Sequence, residues 1–256
     1  MKLEEYGKLL AYEAAFWSQG VTNPTYPIDE MGKLTLEVSD KFRVLAIITL
    51  VTQGETDFFY HNLIRSGRSR QTYLLRLRQE GITGDHHGCS GRYEALLDSI
   101  AAGDFALARR IAELSPEEFQ EQHEYEDDYC YAQCLHRLIR PEAPKNEFHT
   151  LFDCWAAYLD GKDTGRLNVC QALVAQDQNA FDEGLEALLD EHRAKIGSDK
   201  ERGQFEDFSV VAKRRVFVEG LALLGLADMQ GLRTQQEYRY CPSLARVPMI
   251  NPFPGE

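Results

Sequence analysis

The chain of 256 residues is 43% hydrophobic and 27% charged, a globular balance with enough apolar material for a substantial core, which excludes a disordered chain. Its 28 Lys and Arg against 41 Asp and Glu give a formal charge of −13. That sign disfavours nucleic acid and anionic membrane as direct partners and favours a basic protein. The start, "MKLEEYGKLLAYEAAF", has two glutamates where a secretory signal carries its positive region. The longest apolar run, Val44 to Val51, is eight residues against the roughly 20 that span a bilayer. Six scattered cysteines, Cys89, Cys130, Cys134, Cys154, Cys170 and Cys241, fit reduced thiols better than a disulfide framework. The expectation is a soluble, cytoplasmic chain.

In chain order, "KLTLEV" (33–38) alternates like a short strand but leads directly into a helical pattern. "KFRVLAIITLVTQGETDFFYHNLIRSG" predicts a long buried helix broken at Gly54 and a second ending near Gly67, with "SRQTYLLRLRQEG" as a short amphipathic helix after it. "YEALLDSIAAGDFALARRIAEL" predicts a helical hairpin: Leu96, Leu97 and Ile100 precede the turn at Gly103, Asp104 caps the second helix, and Phe105, Ala108 and Ile111 follow. "NVCQALVAQDQNAFDEGLEALLDEH" repeats the plan around its "QDQN" turn, and laying Phe105 on Phe181 puts Ala108 on Gly184 and Ile111 on Ala187. "VVAKRRVFVEGLALLGLADMQGL" is apolar on nearly every face after Arg215, which marks a buried helix with close packing at Gly220 and Gly225. Pro242, Pro248, Pro252 and Pro254 predict an extended tail. The fold class expected is all-α: antiparallel helical hairpins stacked in a tetratricopeptide-like array with a proline-rich C-terminal tail. Residues 1–256 form one all-helical domain on this reading, with an N-terminal helical part over 1–82.

The chemistry-bearing motifs each meet a simpler account. "GDHHGC" gathers Asp85, His86, His87 and Cys89, but adjacent histidines point apart and no second ligand pair stands at zinc spacing. Cys130 and Cys134 share a helical face that His136 does not, and His123 lies upstream, so a half-buried helix with small apolar cysteines accounts for them. "GCSGR" lacks the spacing of a nucleophile elbow. No phosphate loop, His-Glu-x-x-His helix or calcium loop occurs. No catalytic residue, metal ligand or cofactor is assigned. Arg65, Arg68, Arg70, Arg76 and Arg78 form a basic segment expected to pair with the chain's own carboxylates.

The distinctive stretch is "SPEEFQEQHEYEDDY" (115–129), with seven carboxylates and no lysine or arginine. Ser115 and Pro116 read as a helix start, which sets Glu117 and Glu118 at the positive end of the dipole, and Glu126 to Asp128 open the next helix. Like charges at helical spacing, such as Glu113 with Glu117, cost a few tenths of a kcal/mol, roughly. A partner surface is the other account. An acidic patch steers a cationic protein into contact, nucleases are cationic where they attract phosphates, and Tyr125, Tyr129 and Tyr131 supply aromatic anchors. The candidate partner-binding residues are Glu117, Glu118, Glu121, Glu124, Tyr125, Glu126, Asp127, Asp128 and Tyr129.

"RRVFVEGLALLGLADMQGLRTQQEYRYCPSLARVPM", with "EYEDDYCYAQCLHRLI" and "CQALVAQDQNAFDEGLEALL", resembles the Imm49 family of immunity proteins from bacterial polymorphic toxin systems, over about 90–249. The resemblance implies a cytoplasmic, non-enzymatic protein that binds one cognate toxin and blocks it, often a toxin delivered by type VI secretion. It transfers no binding residue by position. The toxin's being a basic nuclease is inferred from the charge alone. The competing readings are a helical-repeat scaffold that binds peptides and a metal-dependent enzyme using Asp85, His86, His87 or the Glu-Asp-Asp run.

Overall fold

The computed structural model describes residues 2–140, 146–162, 164–201 and 207–254. Among them are eleven α-helices, one 3-10 helix and no strand, so the fold is all-α. Three long helices come first: α1 (Leu3–Thr22), α2 (Ile28–Gln53) and α3 (Thr56–Gln79). "KLTLEV" lies inside α2, because Leu34, Thr35 and Val38 all turn to the core at helical spacing. The break at Gly54 holds: its N–H bonds Leu50 O at 3.0 Å and its φ of +70° is the left-handed conformation that ends a helix at glycine. The expected end near Gly67 does not. α3 runs unbroken to Gln79, with Gly67 buried inside it against Ser99 and Leu107, where a Cβ would not fit, and the predicted amphipathic helix is its second half.

The two hairpins form as read. α4 (Glu94–Ala101) and α5 (Phe105–Leu114) turn at Gly103, and Asp104 caps α5 by accepting from Leu107 N at 2.9 Å. α8 (Gly165–Ala175) and α9 (Gln178–Glu201) turn at Gln176, with Asp177 accepting from the Asn179 and Ala180 amides. Their register corrects the sequence alignment. Ala187 is exposed where Ile111 is buried, and Leu107, Ala108 and Ile111 match Gly184, Leu185 and Leu188 instead. Between the hairpins stand α6 (Glu126–Leu138) and α7 (Asn146–Tyr158), and α10 (Phe208–Lys213) leads to α11 (Val218–Met229).

Consecutive helices pack as neighbours, α1 on α2, α2 on α3, α4 on α5, α6 on α7 and α8 on α9. α11 departs from a linear array: it returns to pack against α4 and also touches α8 and α9. That explains its apolar surround, with Val218, Leu221, Leu223, Leu224 and Leu226 all buried. Full burial of such a side chain is worth about 1.5–3 kcal/mol, so packing rather than intrinsic propensity holds these short helices. Beyond α11 the chain crosses α3, where the Tyr60 hydroxyl donates to Ala245 O (3.0 Å) and Val247 O (2.6 Å), and Asp57 accepts from the Ile250 and Asn251 amides. The last two residues of the predicted tail lie outside the described ones.

One buried polar group ties the helices together, and another makes the fold sensitive to acid. Asp98 of α4, 1% exposed, accepts from Arg43 Nε of α2 at 2.7 Å and from the Ser66 hydroxyl of α3 at 2.5 Å. Burial pushes its carboxyl pKa up, and the Arg43 guanidinium opposes that. Asp98→Ala strands the guanidinium and the hydroxyl, and should lower unfolding free energy by about 3–5 kcal/mol in a urea titration. His136, buried in α6, is held neutral: burial and then the nearby Arg137, Arg140 and Arg70 push its pKa down from 6.5 to about 3. The unfolded chain takes up that proton first, so this stability is complete above pH 6.5 and is lost as pH falls below it towards 3. His136→Gln should therefore flatten the acid limb of a stability–pH curve; an unchanged limb would assign the acid sensitivity to other groups.

The expected pairing of the α3 arginines with carboxylates is met by Arg76, which bonds Glu80 at 2.8 Å. Arg65 bonds the Asn62 side chain and, with Arg68, lies over the Phe253 ring. Arg70, 2% exposed, takes backbone carbonyls instead: Gly88 O at 3.0 Å, Cys89 O at 2.8 Å and also His87 O. The guanidinium's fork of N–H donors lets one side chain close a whole loop in this way.

Candidate partner-binding face

The acidic stretch does not begin a helix. Ser115 closes α5, its N–H and hydroxyl both bonded to Ile111 O, and 116–125 is a loop of turns. The helical like-charge penalty foreseen for Glu113, Glu117 and Glu121 therefore does not arise, and Glu117 and Glu118 have no helix dipole beneath them. Three side chains fix the loop from below: Ser90 and Gln133 donate to Pro116 O, and Tyr129 Oη donates to Glu117 O at 2.6 Å. A helix begins only at Glu126, whose first turn holds Glu126, Asp127 and Asp128 at its positive end, as the sequence implied.

The nine candidate residues separate by environment. Glu124 is half-buried, and its carboxylate accepts from Gly91 N at 2.5 Å and Gln120 N at 3.1 Å. Gly91 must be glycine for this approach, since a Cβ there would stand 2.9 Å from Glu124 Oε2 and 3.2 Å from Asp128 Cβ. Asp128 also turns inward, accepting from Tyr93 Oη at 2.9 Å and lying 3.6 Å from Arg166 Nη1. Burial pushes both carboxyls up in pKa, and the hydrogen bonds pull them back. Tyr129 packs its ring on Phe119 at 5.3 Å. These three build the face from within.

Glu117, Glu118 and Glu121 are exposed, Glu126 and Asp127 half-exposed, and none of the five has an ion pair among the described residues. Tyr125 is 73% exposed. Tyr131, read as an anchor, is fully buried, edge-on to Tyr93 and beside Trp155, because it falls on the inward face of α6. Two other exposed aromatics join the face: Phe119 of the loop and Tyr158 at the end of α7, 36% and 45% exposed. Tyr158 was invisible to sequence because only the antiparallel α6/α7 packing brings it beside Tyr125 and Asp127.

Cavities flank the acidic segment on both sides. One of about 700 Å³ lies between the end of α3, Ile82 and Phe119, bordered by Glu117 and Glu118. The other, about 220 Å³, opens behind Asp127. The remaining motifs are structural: Asp85 Oδ1 accepts from the His87 and Gly88 amides and from Tyr73 Oη, and five of the six free cysteines are buried. No group of three or more metal-ligating side chains is assembled among the described residues.

Residues 37–245 match the family model of immunity protein 49, Imm49. The chain belongs to this family. The Imm49 match opens inside α2, so it takes in α3 as well as the part from Ser90 onward that carried the resemblance, and it contains the whole acidic face. No curated protein and no solved structure matches the chain. Membership in Imm49 makes this an immunity protein against a toxin. No helix of the described residues is long and apolar enough to cross a membrane.

Proposed function

We propose that this Imm49 protein neutralises a secreted antibacterial toxin with a basic nuclease domain, by laying its acidic face over the toxin's phosphate-binding cleft in the cytoplasm. Five carboxylates with no ion pair among the described residues, gathered over one loop and the first turn of α6, are the observation that carries this reading. Carboxylates spaced along a surface can stand in for a phosphate backbone, and their field accelerates encounter with a cation. Tyr125, Phe119 and Tyr158 supply the apolar anchors that an interface needs among its charges. Glu124, Asp128 and Tyr129 contribute by holding the loop in shape, while Glu117, Glu118, Glu121, Glu126 and Asp127 meet the toxin. A toxin delivered by type VI secretion fits this role.

A tagged pull-down from the native organism, with bound proteins identified by mass spectrometry, tests the reading. The expected result is one basic toxin domain, retained one-to-one, whose nuclease activity is titrated to zero by the purified immunity protein and whose association slows as salt rises. Recovery of many partners, or of one toxin whose binding ignores salt, would overturn it.

A further inference from the structure

The open end of the α6/α7 hairpin is more than charged. The cavity behind Asp127 is walled by Trp155 of α7, by Leu159 just past its end and by Phe217, and is also lined by Glu191 and Lys195 of α9. Arg166 shares it but is matched already: its Nε and Nη2 bind both oxygens of Glu219, at 2.6 and 3.0 Å. Asp127 has no ion pair among the described residues, and Glu191 accepts from Gly165 N at 2.7 Å with one oxygen, the other having no hydrogen bond among the described residues. The rings of Tyr125 and Tyr158 stand exposed beside these carboxylates; the Tyr158 phenol is raised in pKa, first by desolvation and then by Asp127 and Glu126. Trp155 itself is 1% exposed, and its indole N–H finds no acceptor among the described residues. As part of the cavity wall, the indole reports on what enters beside it.

Each feature selects the same guest. An excess of carboxylate asks for a cation, and flat tyrosine rings favour a planar guanidinium over a compact ammonium. We propose that this pocket receives an arginine of the basic partner, its guanidinium on Asp127 beside Tyr125 and Tyr158. The inference rests on the reading that the partner is basic, and it places the anchor at α6/α7 rather than at the 117–121 loop.

The chain has two tryptophans, Trp17 and Trp155, so its ¹⁵N spectrum carries two indole signals, and Trp17 on α1 is an internal control. Titration with acetyl-arginine methylamide should move the Trp155 signal and leave Trp17 still, while acetyl-glutamate methylamide moves neither. Asp127→Asn should weaken the titration roughly two- to fivefold, the range of an exposed ion pair, without unfolding a chain in which Asp127 has no ion pair among the described residues. Lys195→Gln should strengthen it, because it removes the competing cation. A silent Trp155, an equal response to the glutamate probe, or weakening by Lys195→Gln would overturn the proposal. The outcomes separate from those of the pull-down: a retained toxin with a silent pocket rejects only the pocket, and a responsive pocket with no basic toxin rejects the nuclease reading.

Discussion

Replacing Arg70 with alanine should cost about 3–5 kcal/mol of folding free energy, a large part of the roughly 5–15 kcal/mol that holds a typical domain. The guanidinium is buried in α3 with no ion pair among the described residues, and burial pushes its pKa down. Its charge is tolerated because the His87, Gly88 and Cys89 carbonyls all turn towards it. Alanine removes the charge but strands those carbonyls, each at about 1–3 kcal/mol if water cannot reach it, and leaves a void. Arg70→Lys keeps the charge without the fork and should recover part of the loss. The effect reaches the candidate partner-binding face. The loop that Arg70 closes ends at Gly91, whose N–H binds Glu124, and Glu124 in turn binds Gln120 in the acidic loop. Hydrogen exchange at Gly91 and Gln120 should therefore accelerate in the variant along with the fall in urea midpoint. A midpoint within about 1 kcal/mol of the parent would show that water replaces the guanidinium.

Much of this architecture could be read from the sequence, and the failures have physical causes. The hairpin turns were legible because Gly103, Asp104 and the "QDQN" segment are local signals, resolved within a few residues of chain. α11 was legible as a central helix because its apolar residues leave no polar face. Gly67 misled because a glycine inside a helix carries the same letter as one that ends it; only the packing around α3 decides. Ser115 and Pro116 misled for a related reason, since the pair caps a helix in one context and leaves one in another. Within the candidate site, the charge segregation was visible, but the division of labour was not. Whether a carboxylate points to Gly91 or to solvent depends on a loop some thirty residues away in sequence, and the same holds for Tyr158 and Trp155.

That division yields the sharpest test on the toxin itself. Neutralising the five outward carboxylates together, Glu117→Gln, Glu118→Gln, Glu121→Gln, Glu126→Gln and Asp127→Asn, should slow association with the captured toxin domain by on the order of 10- to 100-fold at low salt. The deficit should shrink as salt rises, since screening already removes steering in the parent. Stability should fall by no more than about 1–2 kcal/mol, because none of the five has an ion pair among the described residues and only Glu126 and Asp127 sit at a helix N-terminus. Glu124→Ala and Asp128→Ala should do the reverse. Each deletes internal acceptors, of Gly91 N and Gln120 N in one case and of Tyr93 Oη in the other, and should cost about 1–3 kcal/mol of stability. Their effect on binding should appear mainly as faster dissociation from a loosened loop. Reversal of Glu126 to Asp128 as a block would mix the two classes, so the informative comparison keeps Asp128 intact. If the outward set leaves the association rate unchanged and the inward set alone abolishes binding, the toxin docks elsewhere and the acidic loop serves only to shape the fold.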